Sequence, residues 1–183
     1  MEAFGRKLRC PIIGPAVGKI LYLMTVLKGA RRVFEMGSGF GYSAYWFALA
    51  MPFDGEVVLT DYSANMLRLA VEFFKKAKIE HKIIVEKGDA LEIIDRYQEQ
   101  FDIIFTDIDK KYYPEAFGKA LPKLKTGGLL IADNVLRGGQ VVFDIKSPDV
   151  LGIKEFTRLI YESSELITTI IPVRDGLSIS LKR

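Results

Sequence analysis

Carboxylate and amide side chains follow two apolar segments in the second half of the chain. Asp107 ends the segment FDIIFTD, and Asp133 and Asn134 end the segment GLLIADN. Such runs, apolar up to a final polar residue, are typical of parallel strands covered on both faces. If the two strands are neighbours, the three side chains meet at one corner of the sheet, and oxygen donors without sulfur or imidazole favour a hard cation such as magnesium. Each residue alone has an ordinary explanation in a loop or cap, but two carboxylates together without a cation would repel each other.

Lys110 lies three residues after Asp107 and is the candidate catalytic residue. A nearby divalent cation disfavours the charged form of an amine, so Lys110 would be able to accept a proton from a reacting group. The alternative is a surface lysine beside Lys111, and the spacing alone does not decide between the two.

A glycine-rich turn follows the first apolar segment. The stretch VFEMGSGFGYSAYWFALAM contains Gly37, Gly39 and Gly41 in the pattern G-x-G-x-G. A dinucleotide-binding fingerprint would have its third glycine where this chain has Tyr42, so the spacing weakens the interpretation as an NAD site. Glycines after a buried strand let the backbone approach a ligand closely, and the N-terminus of the next helix favours an anionic ligand group. A purely conformational role is the alternative.

The order of elements predicts an α/β fold. Short β-rich runs alternate with longer helical patterns, which indicates parallel βαβ units with helices on both faces of the sheet. The predicted strands are Arg32–Met36, Glu56–Asp61, Lys82–Glu86, Phe101–Asp107 and Gly128–Asp133, and the predicted helices cover residues 42–51, 63–78, 90–97 and 113–125, with one more from Ser147 to about Ser164.

The C-terminal part of the chain lacks the alternation of strands and helices seen before it. Two β-rich runs, LITTIIPV and LSISLKR, are joined by a turn that contains Asp175 and Gly176, which indicates a C-terminal antiparallel hairpin. A doubly wound sheet with such a hairpin departs from the dinucleotide-binding fold. It resembles the Rossmann-like, seven-stranded sheet of methyltransferases that use S-adenosylmethionine.

For such a cofactor, the first strand and its turn would hold the methionine end. The helix after the glycines would face the carboxylate, with Gly37 and Gly39 giving close backbone approach. Glu35 would meet the ammonium group directly or through water, and Ser43 adds a hydroxyl in the first helical turn. Asp107 is expected to lie beside the cofactor as well as beside the cation.

The nucleoside end would lie at the next two strand ends. Asp61 ends the second strand and can accept hydrogen bonds from both ribose hydroxyls, or alternatively cap the helix that begins near Ser63. Gly88, Asp89 and Ala90 follow the third strand, where they could reach the adenine ring. An ordinary helix cap explains Asp89 nearly as well.

Several stretches resemble the cation-dependent O-methyltransferases related to catechol and caffeoyl-CoA O-methyltransferases. The resemblance covers roughly residues 31–183 and is carried by VFEMGSGFGYSAYWFA, GDALE, FDIIFTDIDKKYYPEAFGKALPKLKTGGLLIADNVLRGG and PVRDGLSISLKR. It implies the following roles: metal ligands Asp107, Asp133 and Asn134; catalytic lysine Lys110; methionine-end residues Glu35, Gly37 and Ser43; and ribose-binding acid Asp61.

Residues 1–183 are predicted to form a single S-adenosylmethionine-dependent methyltransferase domain with a short N-terminal helical region, about residues 1–30. Members of the resembled family usually carry a longer N-terminal region that contributes to the acceptor pocket and to dimer contacts. The acceptor, and whether the chain forms a homodimer, therefore stay open.

The charge, the cysteine count and the length of the apolar runs limit the kinds of binding partner that are expected. The 183 residues carry a net charge of +3 with scattered basic residues, which gives little support for nucleic-acid binding. Cys10 is the single cysteine, so no internal disulfide can form. No apolar run reaches the roughly 18 residues of a membrane span, and the first residues lack a signal-peptide pattern, so no membrane partner and a cytoplasmic location are expected.

The expected reaction is methyl transfer from S-adenosylmethionine to a hydroxyl of a small hydroxylated aromatic acceptor such as a catechol, with magnesium or another divalent cation. Tyr42, Tyr112 and Tyr113 are candidates for walls that exclude water, and packing in the core or at the surface is the alternative for each. Arg137 and Arg174 would favour an acidic or phosphorylated acceptor if they lie at the rim, and the alternative is that they are solvated loop charges. The alternatives are a metal-independent methyltransferase acting on another small molecule or RNA, an NAD-dependent oxidoreductase, and a non-catalytic nucleoside-binding protein.

Overall fold

The computed structural model describes all 183 residues, Met1–Arg183, and its elements alternate as the sequence predicts. The helices are α1 (Glu2–Leu8), α2 (Gly14–Lys28), α3 (Tyr42–Ala50), α4 (Ala64–Ala77), α5 (Ala90–Ile93), α6 (Tyr113–Lys123) and α7 (Pro148–Glu162). The strands are β1 (Arg32–Met36), β2 (Glu56–Asp61), β3 (Ile83–Lys87), β4 (Phe101–Thr106), β5 (Leu124–Asp133), β6 (Leu166–Ile171) and β7 (Leu177–Lys182). None of the helices has the length and apolar character needed to cross a membrane.

The seven strands form one mixed sheet in the order β3-β2-β1-β4-β5-β7-β6. Strands β1 to β5 pair in parallel, whereas β7 is antiparallel to both β5 and β6. This confirms the predicted α/β fold with a C-terminal antiparallel hairpin. It also confirms that β4 and β5 are neighbours, so the polar residues that follow them lie at the same edge.

Apolar side chains cover the sheet on both faces. Helices α2 and α3 contribute residues such as Leu21 and Phe47 to one core, and α7 contributes Phe156 to the other. Successive strand residues alternate between these cores, as Val33 and Phe34 of β1 do. Because both faces are covered, the carboxyl edge of the parallel strands is the place left for a ligand.

The predicted start of the third strand was one residue early. Lys82 belongs to a short 3-10 turn, Glu80–Lys82, and β3 begins at Ile83. The Lys82 amine is buried and donates hydrogen bonds to the carbonyl oxygens of Ala48 and Met51, at 2.9 and 2.7 Å. It thereby satisfies carbonyl groups that the C-terminal end of α3 leaves without helical partners.

The fifth strand begins at Leu124, four residues before the predicted start at Gly128. Leu124 pairs with Phe101, and the register then shifts before Ile103 pairs with Leu129. This irregularity breaks the continuous apolar pattern on which the prediction depended. The predicted end of the preceding helix, at residue 125, was correspondingly late, because α6 ends at Lys123.

Candidate active site

The carboxyl ends of the parallel strands open into a cavity of about 560 Å³. Segments that follow β1, β2, β3, β4 and β5 all line it, at the position where open α/β sheets bind ligands. The volume is within the range of small-molecule sites. The lining includes all but one of the site residues expected from the sequence: Gly37, Gly39, Ser43, Asp61, Asp89, Ala90, Asp107, Lys110, Asp133 and Asn134.

The glycine turn packs tightly against its surroundings at two positions. Gly37 has a φ of 83°, and a Cβ there would lie 2.5 Å from the carbonyl oxygen of Asp107 at the end of β4. Gly41 has a φ of 80°, and a Cβ there would lie 2.5 Å from the ring of Phe74. Both positions therefore need glycine, for backbone conformation and for space. By contrast, nothing lies within 4 Å of a Cβ placed on Gly39, so this part of the turn is open.

Glu35 is the expected site residue that does not line the cavity, because it is fully buried. The Ser43 hydroxyl, which does line the cavity, donates a hydrogen bond to Glu35 Oε1. Glu35 Oε2 and the nearby Ser38 Oγ are buried without a hydrogen-bond partner. Burial raises the pKa of Glu35 to about 7, and the neighbouring hydroxyls of Ser38 and Ser43 oppose this. The geometry leaves an unused acceptor behind the cavity floor, which a ligand cation could reach through Ser43 or water.

The raised pKa of Glu35 predicts a stability loss with increasing pH. The folded-state pKa of about 7 lies above the ordinary value of 4.5, so the stabilising contribution is complete below 4.5 and is lost as the pH rises through 7. Between pH 5 and pH 8 we expect the free energy of unfolding of the wild type to fall, relative to Glu35→Gln, by on the order of 2 kcal/mol. Urea unfolding of both proteins at each pH measures this difference. Parallel pH profiles would contradict it.

Asp61 holds the glycine turn to the start of the next helix. Its Oδ2 accepts a hydrogen bond from the Gly39 amide at 2.9 Å, and its Oδ1 accepts one from the Ser63 amide at 2.7 Å. The N-cap of α4 is Ser63, whose hydroxyl accepts from the Met66 amide. A carboxylate oxygen can accept two hydrogen bonds, so Asp61 keeps capacity for a ligand hydroxyl.

Asp89 caps α5 and lines the cavity at the same time. Its Oδ1 accepts a hydrogen bond from the Leu91 amide at 2.8 Å. Ala90, the first residue of α5, is buried against the cavity beside it. The two interpretations of Asp89, as a cap and as a cavity residue, are therefore compatible.

Lys110 is held against the end of β4 and is only 7% exposed. Its Nζ donates hydrogen bonds to Asp107 Oδ1 at 2.6 Å and to the Ile108 carbonyl at 3.1 Å. It also lies 5.0 Å from the centre of the Tyr113 ring. The alternative of a solvated surface lysine is thereby excluded, and an amine stands inside the cavity beside a carboxylate.

Asp133 is a buried carboxylate with an unused oxygen. The residue is 3% exposed, its Oδ2 accepts a hydrogen bond from Asn134 Nδ2 at 3.2 Å, and its Oδ1 has no partner. Burial, followed by the negative charge of Asp107, raises the pKa of Asp133 to about 7. Asn134 adopts a left-handed φ of 59°, which asparagine tolerates better than most residues.

The three predicted cation ligands all line the cavity, but they are not all carboxylates. No group of three or more His, Cys, Asp or Glu side chains is arranged to hold a metal ion. Asp107, Asp133 and Asn134 instead offer two carboxylates and one amide. Lys110 forms an ion pair with Asp107, whereas Oδ1 of Asp133 is buried without a hydrogen-bond partner. An oxygen in that state suits a hard cation, because an unpaired buried carboxylate is costly.

One of the three tyrosines considered as cavity walls packs in the core instead, which is the alternative use. Tyr113 is fully buried, and its hydroxyl donates to the Asp133 carbonyl at 2.8 Å and lies 3.1 Å from the Thr106 carbonyl. It joins the ends of β4 and β5 from inside the core. Tyr42 and Tyr112 do line the cavity.

The N-terminal wall of the cavity was not predicted from the sequence. This wall is formed by Cys10, Pro11, Ile12 and Ile13, which connect α1 to α2. The segment carries no catalytic or glycine motif that would have identified it. It reaches the cavity through tertiary contacts of α1, where Phe4 packs edge-on against the rings of Phe40 and Phe73.

Comparison with known proteins gives consistent matches along the chain. Residues 5–183 match a protein family described as O-methyltransferase. A catechol O-methyltransferase from Niastella koreensis is 30% identical over 179 residues, which cover 92% of this chain and 81% of that protein. The O-methyltransferase TomG from Streptomyces achromogenes, solved in complex with SAM, superposes with a TM-score of 0.91 at 29% identity, covering 97% of this chain and 85% of that one. An O-methyltransferase from Bacillus cereus, solved with SAH, gives a TM-score of 0.92 at 29% identity, covering 99% of this chain and 88% of that one.

Proposed function

The chain belongs to the O-methyltransferase family and is an S-adenosylmethionine-dependent enzyme, and we propose that it methylates a hydroxyl of a small catechol-like acceptor with the help of a divalent cation. The observation that carries this proposal is the placement of a lysine–carboxylate pair and a partnerless buried carboxylate oxygen in one cavity with the glycine turn. We also take residues 1–183 as one methyltransferase domain that includes α1 and α2.

The cofactor contacts divide between two parts of the cavity. Gly37, Gly39 and Ser43 line the part beside β1, where the partnerless Oε2 of Glu35 provides an acceptor for a ligand ammonium group. Asp61 lines the part beside β2 and has hydrogen-bonding capacity for ribose hydroxyls. Asp89 and Ala90 line the part beyond β3, which is left for the adenine ring. These groups follow one another along the adjacent ends of β1, β2 and β3, which supports an extended nucleoside with an amino-acid tail as the ligand.

The cation would be held by Asp107, Asp133 and Asn134. When bound, S-adenosylmethionine supplies a methyl group on a sulfonium, and a divalent cation supplies positive charge that lowers the pKa of an acceptor hydroxyl. The unused oxygen of Asp133 and the shared carboxylate of Asp107 are hard donors suited to magnesium. Two vicinal oxygens on the acceptor suit such a site, because both can face the same ion.

Lys110 is the residue positioned to accept the acceptor's proton. Its Nζ stands 2.6 Å from Asp107 Oδ1, so the amine lies next to the proposed cation site. Asp107 therefore belongs both to this ion pair and to the proposed cation site. The contact with the Ile108 carbonyl at 3.1 Å fixes the direction of the side chain.

The walls of the cavity contribute by positioning and by excluding water. Tyr42 donates a hydrogen bond to Glu2 Oε1 at 2.8 Å, which ties α1 to the start of α3 at the cavity edge. Methyl transfer from a sulfonium to an anionic oxygen neutralises both charges, so a dry and ordered site lowers the barrier. Ile12 and Ile13 supply apolar surface for the aromatic ring of the acceptor.

A methyl-transfer assay with a neutral vicinal diol tests the proposed function. We expect 3,4-dihydroxybenzamide to be methylated with magnesium present and turnover to be lost with EDTA, whereas 4-hydroxybenzamide should not react. Mass spectrometry of the product identifies the added methyl group. Turnover that survives EDTA would favour a metal-independent methyltransferase, and equal reaction of the monohydroxy compound would contradict recognition of vicinal oxygens.

A further inference from the structure

Arg174 occupies a strained position in the turn between β6 and β7. Its φ is 52°, in the left-handed region that disfavours residues other than glycine. The turn is closed by a hydrogen bond from the Gly176 amide to the Val173 carbonyl at 2.9 Å. Strained residues that persist in a well-anchored turn are concentrated at functional sites, so the side chain of Arg174 merits a functional explanation.

The turn is fixed to the end of β5, next to the proposed cation ligands. The Val135 amide donates to the Gly176 carbonyl at 3.1 Å, and the Leu136 amide donates to the Asp175 carbonyl at 2.9 Å. These bonds continue the β5–β7 pairing beyond Asp133. The backbone of Arg174 is therefore held in a defined position relative to the acceptor end of the cavity.

The Arg174 side chain turns back toward the cavity and lines it. A Cβ on Gly14 would lie 2.1 Å from Arg174 Nη1, so the guanidinium rests in space that exists because residue 14 is glycine. Gly14 is the first residue of α2, whose N-terminal end carries partial positive charge. The contact therefore brings Arg174 no electrostatic stabilisation within the protein.

Arg174 differs from the other arginine of the cavity in having no partner. Arg137 donates to Asp149 Oδ2 at 2.6 Å, which neutralises its charge. Arg174 forms no ion pair with any carboxylate of the chain, including those that line the same cavity. Its planar set of donors remains available, and it matches a carboxylate in two-point contact.

We propose that Arg174 is a specificity-determining residue that selects acceptors carrying a carboxylate in addition to the vicinal hydroxyls. This inference rests on the proposed function, because it assigns the acceptor class for the same cavity. A single unpaired arginine, with Arg137 neutralised by Asp149, matches one negative charge better than the two of a phosphate. The acceptor class is therefore an aromatic vicinal diol with an acidic substituent.

Matched acids and amides test the proposal. The probes are 3,4-dihydroxybenzoate, 3,4-dihydroxyphenylacetate and 3,4-dihydroxycinnamate, each paired with its neutral amide. For at least one pair we expect wild-type kcat/KM to favour the acid, and Arg174→Gln to lower the acid-to-amide ratio about tenfold, mainly through KM, because a solvent-accessible charged hydrogen bond contributes modestly. Arg174→Lys should retain part of the preference, since it keeps the charge without the two-point contact.

Two further variants separate recognition from folding. Arg174→Gly relieves the left-handed strain, so it should fold at least as well as the wild type and still lose the preference. Arg158→Gln removes an arginine that pairs with Glu155 and Glu162 on α7 outside the cavity, and it should keep the wild-type ratio. A wild-type ratio near one for every pair, or a ratio unchanged in Arg174→Gln, would overturn the proposal.

A failure of the proposed function can be distinguished from a failure of the Arg174 proposal. If neither acids nor amides are methylated, calorimetric binding of the same pairs to the enzyme loaded with S-adenosylhomocysteine replaces turnover. Tighter binding of an acid that is lost in Arg174→Gln would support the carboxylate site even though catechol methylation had failed. Equal binding of acid and amide would overturn it.

Discussion

Replacing Lys110 with methionine is expected to lower kcat by about 100- to 10,000-fold, the usual contribution of a positioned proton acceptor. Lys110 is the only lysine that lines the cavity, and no histidine lines it. Methionine keeps a long apolar side chain that can pack against the Tyr113 ring, so the fold should persist. Steady-state methylation of 3,4-dihydroxybenzamide measures the loss, and calorimetry should show S-adenosylhomocysteine affinity within about twofold of the wild type.

The pH dependence separates proton transfer from a structural role of Lys110. In Lys110→Met the acceptor must ionise without the amine, so the remaining activity should rise more steeply with pH than that of the wild type. Lys111→Met is the matched control, because Lys111 lies outside the cavity with its Nζ 4.7 Å from the centre of the Tyr112 ring. Its activity should stay close to that of the wild type. Unchanged turnover in Lys110→Met would leave the Asp107 ion pair as a structural feature only.

The sequence predicted the sheet well where strands are apolar on both faces. The bounds of β1 and β2 were predicted to the residue, because Arg32–Met36 is followed directly by the glycine turn and Glu56–Asp61 is an apolar run between two acidic residues. The start of β5 was missed, because Leu124 pairs with Phe101 across a register shift that no local pattern encodes. Likewise, Lys82 was predicted as the first residue of β3 but lies in the turn before it. There its buried amine donates hydrogen bonds to the carbonyl oxygens of Ala48 and Met51, which are distant in sequence.

The candidate site was predictable in position but not in detail. Polar residues at the ends of neighbouring parallel strands must share one edge, which is why Asp107 and Asp133 could be placed together. Side-chain depth depends on tertiary packing, so neither the burial of Glu35 behind Ser43 nor that of Tyr113 between β4 and β5 could be derived from spacing. The wall at Ile12 has the same origin, since it depends on how α1 docks.

A buried carboxylate such as Asp133 is expected to lower the stability of the free protein. Its Oδ1 has no partner in the protein, and the pKa of the carboxyl is raised to about 7 by burial and then by Asp107. Lys110 pairs with Asp107 and not with Asp133, and the positive charges of Lys110 and Arg174 offset the raised pKa of Asp133 only in part. A buried group of this kind is destabilising in the free protein. Its removal should therefore affect activity and stability in opposite directions.

Asp133→Asn is expected to reduce magnesium-stimulated turnover by at least about 1000-fold, because charge stabilisation by a catalytic cation contributes several kcal/mol. The melting temperature without cation should equal or exceed that of the wild type, since a neutral amide is less costly to bury. The rise in melting temperature on adding magnesium should disappear. Asp109→Asn is the matched control, because Asp109 is an exposed carboxylate of the same cavity outside the proposed ligand set. Magnesium-stimulated turnover that persists in Asp133→Asn, or is lost equally in Asp109→Asn, would remove Asp133 from the cation site.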